Sequence, residues 1–138
     1  NTPGEKPFAL LLRDVDNFKQ TNDRYGHPKG DAVLRCLGEN LSGLFRRDDV
    51  VGRVGGDEFL MMMPGAGGEQ AVGRARKIAQ EMCRSVSVQC GVDVSGSIGV
   101  VLSKPGACAY EELLRRADSA LYAAKAAGKG CYRVYGGA

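Results

Sequence analysis

Histidine and tryptophan are almost missing from the sequence. Its 138 residues include no tryptophan and one histidine, His27. The five cysteines form no C-x-x-C pair, so with a single histidine a zinc site is not expected. Several cysteines stand in apolar periodic stretches, as reduced buried thiols do, which indicates a reducing compartment and favours the cytoplasm. The cysteines are Cys36, Cys83, Cys90, Cys108 and Cys131.

Long apolar runs and blocks of one charge are also missing. The apolar runs are only a few residues long and no secretory leader is visible, so we expect no membrane span within this chain. Nineteen Lys and Arg against sixteen Asp and Glu give a net charge of +3, and the basic residues are spread out, so a nucleic-acid partner is not expected. The polar opening NTPGEKP, residues 1–7, is typical of a linker, and we expect a further segment before it in the full protein.

A glycine pair meets an acidic pair in RVGGDEFL, residues 53–60. Apolar residues lead into and out of this stretch, so it predicts a β-hairpin whose tip is Gly55-Gly56, two residues that tolerate positive φ. A plain turn explains the glycines. It does not explain Asp57 and Glu58, because carboxylates beside a buried strand must be solvated, paired or bound to a cation.

The spacing of apolar residues predicts an α/β sandwich, in which helices cover a mainly antiparallel sheet. At 138 residues the chain fits one domain spanning 1–138. Two helices are expected between the first strand and the hairpin. Residues 92–102 alternate in polarity, so they predict a half-buried strand in which Gly96 marks a bulge or a close approach. The predicted elements are a strand over 8–13, a helix from Gly30 to about 45, the hairpin, a helix over 71–82, the strand over 92–102, a helix over 113–124 and a strand over 131–135.

Carboxylates follow the first strand in RDVDNFKQTND. If this strand aligns with the hairpin, Asp14 and Asp57 converge at one edge of the sheet. Two carboxylates with a backbone carbonyl are hard oxygen ligands, which suit Mg²⁺ bridged to substrate phosphates. The alternative for Asp14 and Asp16 is a solvated strand end.

Four motifs in this order, DVDNFKQTND, GHPKGD, RVGGDEF and ADSALYAAKAAGKG, resemble the GGDEF family of diguanylate cyclases across nearly the whole chain. The resemblance implies a palm-like fold that joins two GTP molecules into cyclic di-GMP and releases two pyrophosphates, each half of a homodimer holding one GTP. It implies Mg²⁺ or Mn²⁺ ligated by Asp14, Asp57 and the Val15 carbonyl, with Asp57 and Glu58 as catalytic residues. Gly55 and Gly56 would leave room for substrate.

The resemblance also implies the GTP contacts. Asn22 and Asp31 match the guanine-binding pair, and chemistry supports this, because a carboxylate accepts from the ring N–H and the amine of guanine, whereas adenine offers an acceptor in place of that ring donor. The alternative for Asp31 is a helix N-cap. The GKG at 128–130 stands where the family more often has GRN, which replaces a bidentate guanidinium by a lysine. The phosphate contacts are Lys19, Lys125, Lys129 and the backbone N–H groups of Asn17 and Phe18, and His27 is a further candidate near the substrate.

Arg46 and Asp49 form an R-x-x-D pattern before Gly55, at the separation where relatives carry an inhibitory site for cyclic di-GMP. The alternative is a charged loop without that role. The family's N-terminal segment, rich in Leu, Thr, Asn and Arg, is not in the sequence, so we expect an excised part of a larger protein with an upstream sensory domain. A domain that senses GTP or cyclic di-GMP without turnover is the alternative function.

Overall fold

A five-stranded sheet in the order β2-β3-β1-β4-β5 forms the centre of the fold. The computed structural model describes residues 7–92 and 94–136. The sheet has three antiparallel strand pairs and one parallel pair, β4 with β5, so the predicted mainly antiparallel sandwich is confirmed. The elements are β1 (Phe8–Val15), α1 (Phe18–Tyr25), α2 (His27–Gly43), β2 (Val50–Arg53), β3 (Glu58–Pro64), α3 (Gly68–Cys90), β4 (Gly96–Ser103), α4 (Tyr110–Ala126) and β5 (Tyr132–Val134).

Strand β1 lies in the middle of the sheet with a helical layer on each face. Alternate side chains of a strand point to opposite faces. Ala9 and Leu11 therefore join the cluster formed with α2 and α3, whereas Leu10 and Leu12 join the cluster formed with α4. All four are buried, which is why the strand reads as a continuous apolar run rather than an alternating one.

The strand predicted over 92–102 is present as β4, but the expectation that it is half-buried is wrong. Strand β4 begins at Gly96, and its residues 96–101 are buried on both faces, because helices cover both sides of the sheet. Two residues at the polar positions of the alternating pattern are small and buried: Ser97 donates a hydrogen bond to Asp16, and Gly99 packs against α4. Asp93, part of that pattern, lies outside the described residues.

Two glycines of β4 allow close approaches. A Cβ on Gly96 would lie 2.7 Å from Nε of the buried Arg13 side chain, so the predicted close approach at Gly96 is confirmed. A Cβ on Gly99 would overlap the Ala117 carbonyl of α4 and lie 2.6 Å from the Leu121 nitrogen. Helix α4 therefore packs directly on the strand backbone.

Two helices lie between β1 and the hairpin, as predicted, although α2 begins at His27 rather than Gly30. Pro28 stands in its first turn, where a missing N–H costs nothing. The cysteines whose side chains are described are all free, and of them only Cys36 is buried, so the expectation of several buried thiols is met at one position. The Cys83 side chain and the linker residues 1–6 lie outside the description. In the described part of the chain, no helix has the length and apolar content needed to cross a membrane.

Candidate functional site

The end of β1 and the hairpin tip meet at one edge of the sheet. In the antiparallel register Asp14 pairs with Glu58, and the Val15 N–H donates to the Asp57 carbonyl over 3.3 Å. The expected convergence of Asp14 and Asp57 is therefore what the structure shows. It follows from the hairpin, which returns β3 alongside β1 with its acidic residues at the end of that strand.

Asp57 and Glu58 at this edge are destabilised in their charged form. Burial raises the pKa of Asp57, and the neighbouring Asp14 raises it further. Burial also raises the pKa of Glu58, as do Asp14, Asp118 and Asp57. Asp118, on α4, was not singled out from the sequence, where it is one charge on an amphipathic helix. Binding of a cation or of a proton would therefore relieve the repulsion between these carboxylates.

The carboxylate oxygens at this edge suit a divalent cation as ligands. Lys125 forms an ion pair with Oδ2 of Asp14, whose side chain is 15% exposed. The other oxygen, Oδ1, is buried and receives no hydrogen bond within the described residues. A carboxylate oxygen without a donor beside a second carboxylate is suited to a hard cation. Among the described residues no three His, Cys, Asp or Glu side chains group around a possible metal. A divalent ion held by Asp14 and Asp57 would take its other ligands from backbone, water or substrate oxygens.

Asp16 has a different environment from Asp14. It is 3% exposed, and its carboxylate accepts hydrogen bonds from Ser95, Ser97 and the Gly130 N–H. The alternative of a solvated strand end is therefore wrong for Asp16. Its side chain is used inside the fold, and the partners lie too far along the chain to be found from the sequence.

The hairpin tip differs from the prediction. Neither Gly55 nor Gly56 is among the described residues with positive φ. The Val54 N–H donates to the Glu58 carbonyl over 3.0 Å, so three residues form the tip instead of a two-residue turn. The Arg53 guanidinium, not predicted from the sequence, donates to the Gly55 and Gly56 carbonyls. A Cβ on Gly56 would meet nothing within 4 Å, so this glycine borders open space.

The predicted guanine-binding residues lie on two consecutive helices. Asn22, on α1, has a buried Oδ1 with no hydrogen-bond partner in the described part of the chain. Gly30 of α2 packs against this amide, since a Cβ there would overlap Oδ1 and lie 3.0 Å from Cγ. Asp31, next to Gly30, is exposed. Helix α2 starts at His27 with Gly26 as its N-cap, so the N-cap alternative for Asp31 is wrong.

A cavity of about 500 Å³ opens beside Asp31, between α2 and the hairpin. Arg35 and Arg53 contribute two cations to its wall, and Leu34 and Phe59 contribute apolar surface. An aromatic base could lie against the apolar side. His27 is exposed at the start of α2 and is not part of the wall.

The predicted phosphate contacts come from two segments that touch. The ammonium of Lys129 donates to Asn17 Oδ1 over 2.6 Å, and Asn17 occupies the N-cap position of α1 with φ of 55°. Phe18 begins the helix and packs against the core, whereas Lys19 is exposed. The structure thus brings Lys125 and Lys129 to the acidic edge.

Arg46 and Asp49 close a tight turn between α2 and β2. Asp49 Oδ2 accepts from the Arg46 N–H over 2.8 Å, and the Asp49 N–H donates to the Arg46 carbonyl over 3.0 Å. Both residues line a cavity of about 520 Å³ that Arg74 and Lys77 of α3 also border. Neither α3 residue was singled out from the sequence. The local bonds fit a structural charged loop, and the cavity fits an anionic ligand, so both interpretations of the R-x-x-D pattern stay open.

Comparisons with known proteins agree with this geometry. A family model described as "Diguanylate cyclase, GGDEF domain" matches residues 2–131. The diguanylate cyclase DgcM of Escherichia coli is 39% identical over 122 residues, which is 88% of this chain and 29% of DgcM. The active GGEEF domain of a diguanylate cyclase from Vibrio cholerae superposes with a TM-score of 0.86 at 32% identity, covering 94% of this chain and 83% of that chain.

A second solved structure, the GGDEF domain of DgcB from Caulobacter crescentus in complex with c-di-GMP, superposes with a TM-score of 0.87 at 27% identity. The match covers 97% of this chain and 80% of that chain. These superpositions confirm the fold that the motifs implied. The chain spans only 19% to 33% of the length of five curated relatives.

Proposed function

Because this chain belongs to the GGDEF family of diguanylate cyclase domains, we propose that it joins two GTP molecules into cyclic di-GMP. In each of two steps a 3′-hydroxyl oxygen bonds to the α-phosphorus of the other GTP. The bond between the α- and β-phosphates breaks, pyrophosphate leaves, and the hydroxyl proton passes to a base. The observation that carries the proposal is the meeting of Asp14, Asp57 and Lys125 at one sheet edge.

Asp14, Asp57 and the Val15 carbonyl would hold Mg²⁺ or Mn²⁺. Bound there, the metal would offset phosphate charge and lower the pKa of the attacking hydroxyl. Asp14 Oδ1, which receives no hydrogen bond from the described residues, and the raised pKa of Asp57 both support this assignment.

Asp57 and Glu58 are the proposed catalytic pair. The raised pKa of each carboxyl brings proton affinity closer to neutral pH, which suits acceptance of the hydroxyl proton. Lys19, Lys125 and Lys129 would pair with the triphosphate as point charges.

The guanine base would contact Asn22 and Asp31. The buried amide oxygen of Asn22 needs a donor, and guanine supplies donors on its ring nitrogen and amine. The open space beside Gly56 supports the proposal that substrate presses against the hairpin tip.

Catalysis would need two copies of the domain. The described part of each chain has one proposed set of metal-binding acids and one proposed guanine pair, whereas cyclic di-GMP contains two guanosines joined symmetrically. The second GTP must therefore arrive on another copy, and this encounter is bimolecular unless a partner domain holds the copies together. We propose an upstream sensory domain for this role, and the cytoplasm as the place of the reaction.

Inhibition by the product is the proposed use of Arg46 and Asp49. They border a cavity with two further cations, Arg74 and Lys77, which suits a ligand with two phosphates. The GGDEF domain of DgcB, which has a similar fold, was solved in complex with c-di-GMP, and this supports the proposal that a domain of this kind binds the product.

The test is incubation of the purified chain with GTP and Mg²⁺, followed by chromatographic separation of cyclic di-GMP and pyrophosphate. The same measurement on Asp57→Asn is the control, since that variant removes a metal-binding anion from a hairpin tip held by other groups. We expect product from the parent and none from the variant. Binding of GTP without product at high protein concentration would instead support the sensing domain, and near-normal product from a folded Asp57→Asn would contradict the metal assignment.

A further inference from the structure

Three contacts join the end of β1 and the residues just after it to the last turn of α4 and the loop that follows it. Asp14 pairs with Lys125, Asp16 accepts from the Gly130 N–H over 2.9 Å, and Asn17 accepts from Lys129 over 2.6 Å. The first and last of these contacts involve lysines of the proposed phosphate site. The middle contact joins the buried Asp16 carboxylate to the backbone of the exposed Gly130 and uses no lysine.

The loop that carries Lys129 has an unusual backbone. Gly128, Lys129 and Gly130 all have positive φ, at 123°, 64° and 61°. This conformation suits glycine but costs a residue with a side chain about 1–2 kcal/mol. Such a conformation persists only when its surroundings fix it. The residue after Lys129 is fixed through its N–H by the Asp16 carboxylate.

Asp16 is well placed to fix this loop. Oδ2 accepts from Ser95 Oγ over 2.6 Å as well as from Gly130, and Oδ1 accepts from Ser97 Oγ over 2.7 Å. The Asp16 N–H donates to the Ser95 carbonyl. The carboxylate is therefore anchored to β4 on one side and holds the loop on the other.

We infer that Asp16 is a positioning residue for triphosphate binding, which places Lys129 by holding the loop over 128–130 in its positive-φ conformation. This inference rests on the proposed function, since it assumes that Lys129 meets phosphate. Charge alone predicts the opposite effect, because removal of a negative group near a phosphate site should strengthen anion binding. A loss of triphosphate affinity on removing Asp16 would therefore show that Asp16 acts by positioning Lys129 and not through its own charge.

The experiment compares Asp16→Ala and Asp16→Asn with the parent, by calorimetric titration with 3′-deoxyGTP and with 3′-deoxyGMP in Mg²⁺. Neither ligand can react, because both lack the attacking hydroxyl. We expect Asp16→Ala to weaken triphosphate binding about tenfold, which corresponds to loss of one hydrogen bond to a charged group. Monophosphate binding should stay within about twofold of the parent, in line with the roughly twofold scatter of such measured contributions.

Asp16→Asn should restore most of the triphosphate affinity. Its amide oxygen can accept from Ser95 and Gly130, and the Ser97 hydroxyl can rotate to accept from the amide nitrogen. If Asn is as damaging as Ala, the charge of Asp16 matters rather than its geometry, and the inference is wrong. Equal loss for both nucleotides in Asp16→Ala would likewise refute it in favour of a general structural role.

Two further variants cover the case in which Asp16→Ala does not fold. Ser97→Ala removes one anchor and should lower the triphosphate affinity by a smaller factor, whereas Ser103→Ala at the other end of β4 should not change it. In a Lys129→Met background, Ser97→Ala should have no further effect, because it acts through that lysine. Additive losses would overturn the inference. A parent that binds both nucleotides equally would refute the proposed function itself.

Discussion

Gly30→Ala should displace Asn22 without removing it. A Cβ on Gly30 would overlap Asn22 Oδ1, lie 3.0 Å from its Cγ and lie 3.2 Å from Cζ of Phe18. The cheapest relief is rotation of the Asn22 side chain, since its amide is the end of a flexible group. The guanine contact proposed for that amide would then be lost.

The expected cost of Gly30→Ala falls on binding rather than on stability. Loss of one or two hydrogen bonds to the base is worth about 1–3 kcal/mol, or about 5- to 150-fold in affinity. The variant gains about 1 kcal/mol of helix propensity, which offsets part of the cost of moving Asn22. We therefore expect little change in the free energy of unfolding.

The assay compares 3′-deoxyGTP with 3′-deoxyATP by calorimetry. Gly30→Ala should weaken guanine binding and leave adenine binding unchanged, so that the preference for guanine falls. Gly73→Ala in α3 is the matched control, because a Cβ there meets nothing within 4 Å. A folded Gly30→Ala protein that keeps the parent's preference would refute the placement of guanine beside Asn22.

Four other changes have expected outcomes. Asp57→Asn should raise the melting temperature at pH 8 in the presence of a chelator, because the folded-state pKa of Asp57 is raised and its ionisation above that pKa costs stability. This gain should vanish at acidic pH, where the Asp57 carboxyl is protonated in the parent. A melting temperature at pH 8 that is lower in Asp57→Asn than in the parent would contradict this. Arg46→Ala should weaken binding of cyclic di-GMP about tenfold or more by loss of a charged contact, without changing the binding of 3′-deoxyGTP. If cyclic di-GMP binds equally well to the parent and to Arg46→Ala, the R-x-x-D pattern is a charged loop without an inhibitory role. Specific activity should fall when the chain is diluted about a hundredfold, as for any bimolecular encounter, unless light scattering shows a stable dimer; constant activity from a monomer would exclude the two-copy mechanism. Gly99→Ala should lower the free energy of unfolding in urea by about 1–3 kcal/mol through its overlap with Ala117, and an unchanged midpoint would show that α4 moves aside freely.

Local features of the sequence predicted the order of the elements and one half of the site. Apolar spacing identified the helices and strands, and the hairpin required its acidic residues to return to the end of β1. Asp14 and Asp57 could therefore be placed together from the sequence, since a hairpin fixes which residues face each other.

Features that depend on distant partners could not be predicted. Asp16 looked equivalent to Asp14, but its serine partners are 79 and 81 residues away and its loop partner is 114 residues away. The burial of β4 depends on helices packing against both faces, which alternation along one strand does not reveal. The hydrogen bonds from Arg53 to the Gly55 and Gly56 carbonyls depend on the three-residue shape of the turn, which the sequence did not predict.

The position of β1 has a consequence for folding. This first strand pairs with β3 on one side and β4 on the other, and Asp14 has register partners in both, Glu58 and Ser97. Pairings between segments so far apart in sequence carry a large loop-closure cost and form slowly. During synthesis, Asp14 leaves the ribosome before β3 and β4 and gains both register partners only after β4 has followed. A nascent chain that stops before β4 therefore leaves one edge of β1 unpaired, although Ala9 to Leu12 are buried in the folded domain, and the proposed site is assembled late.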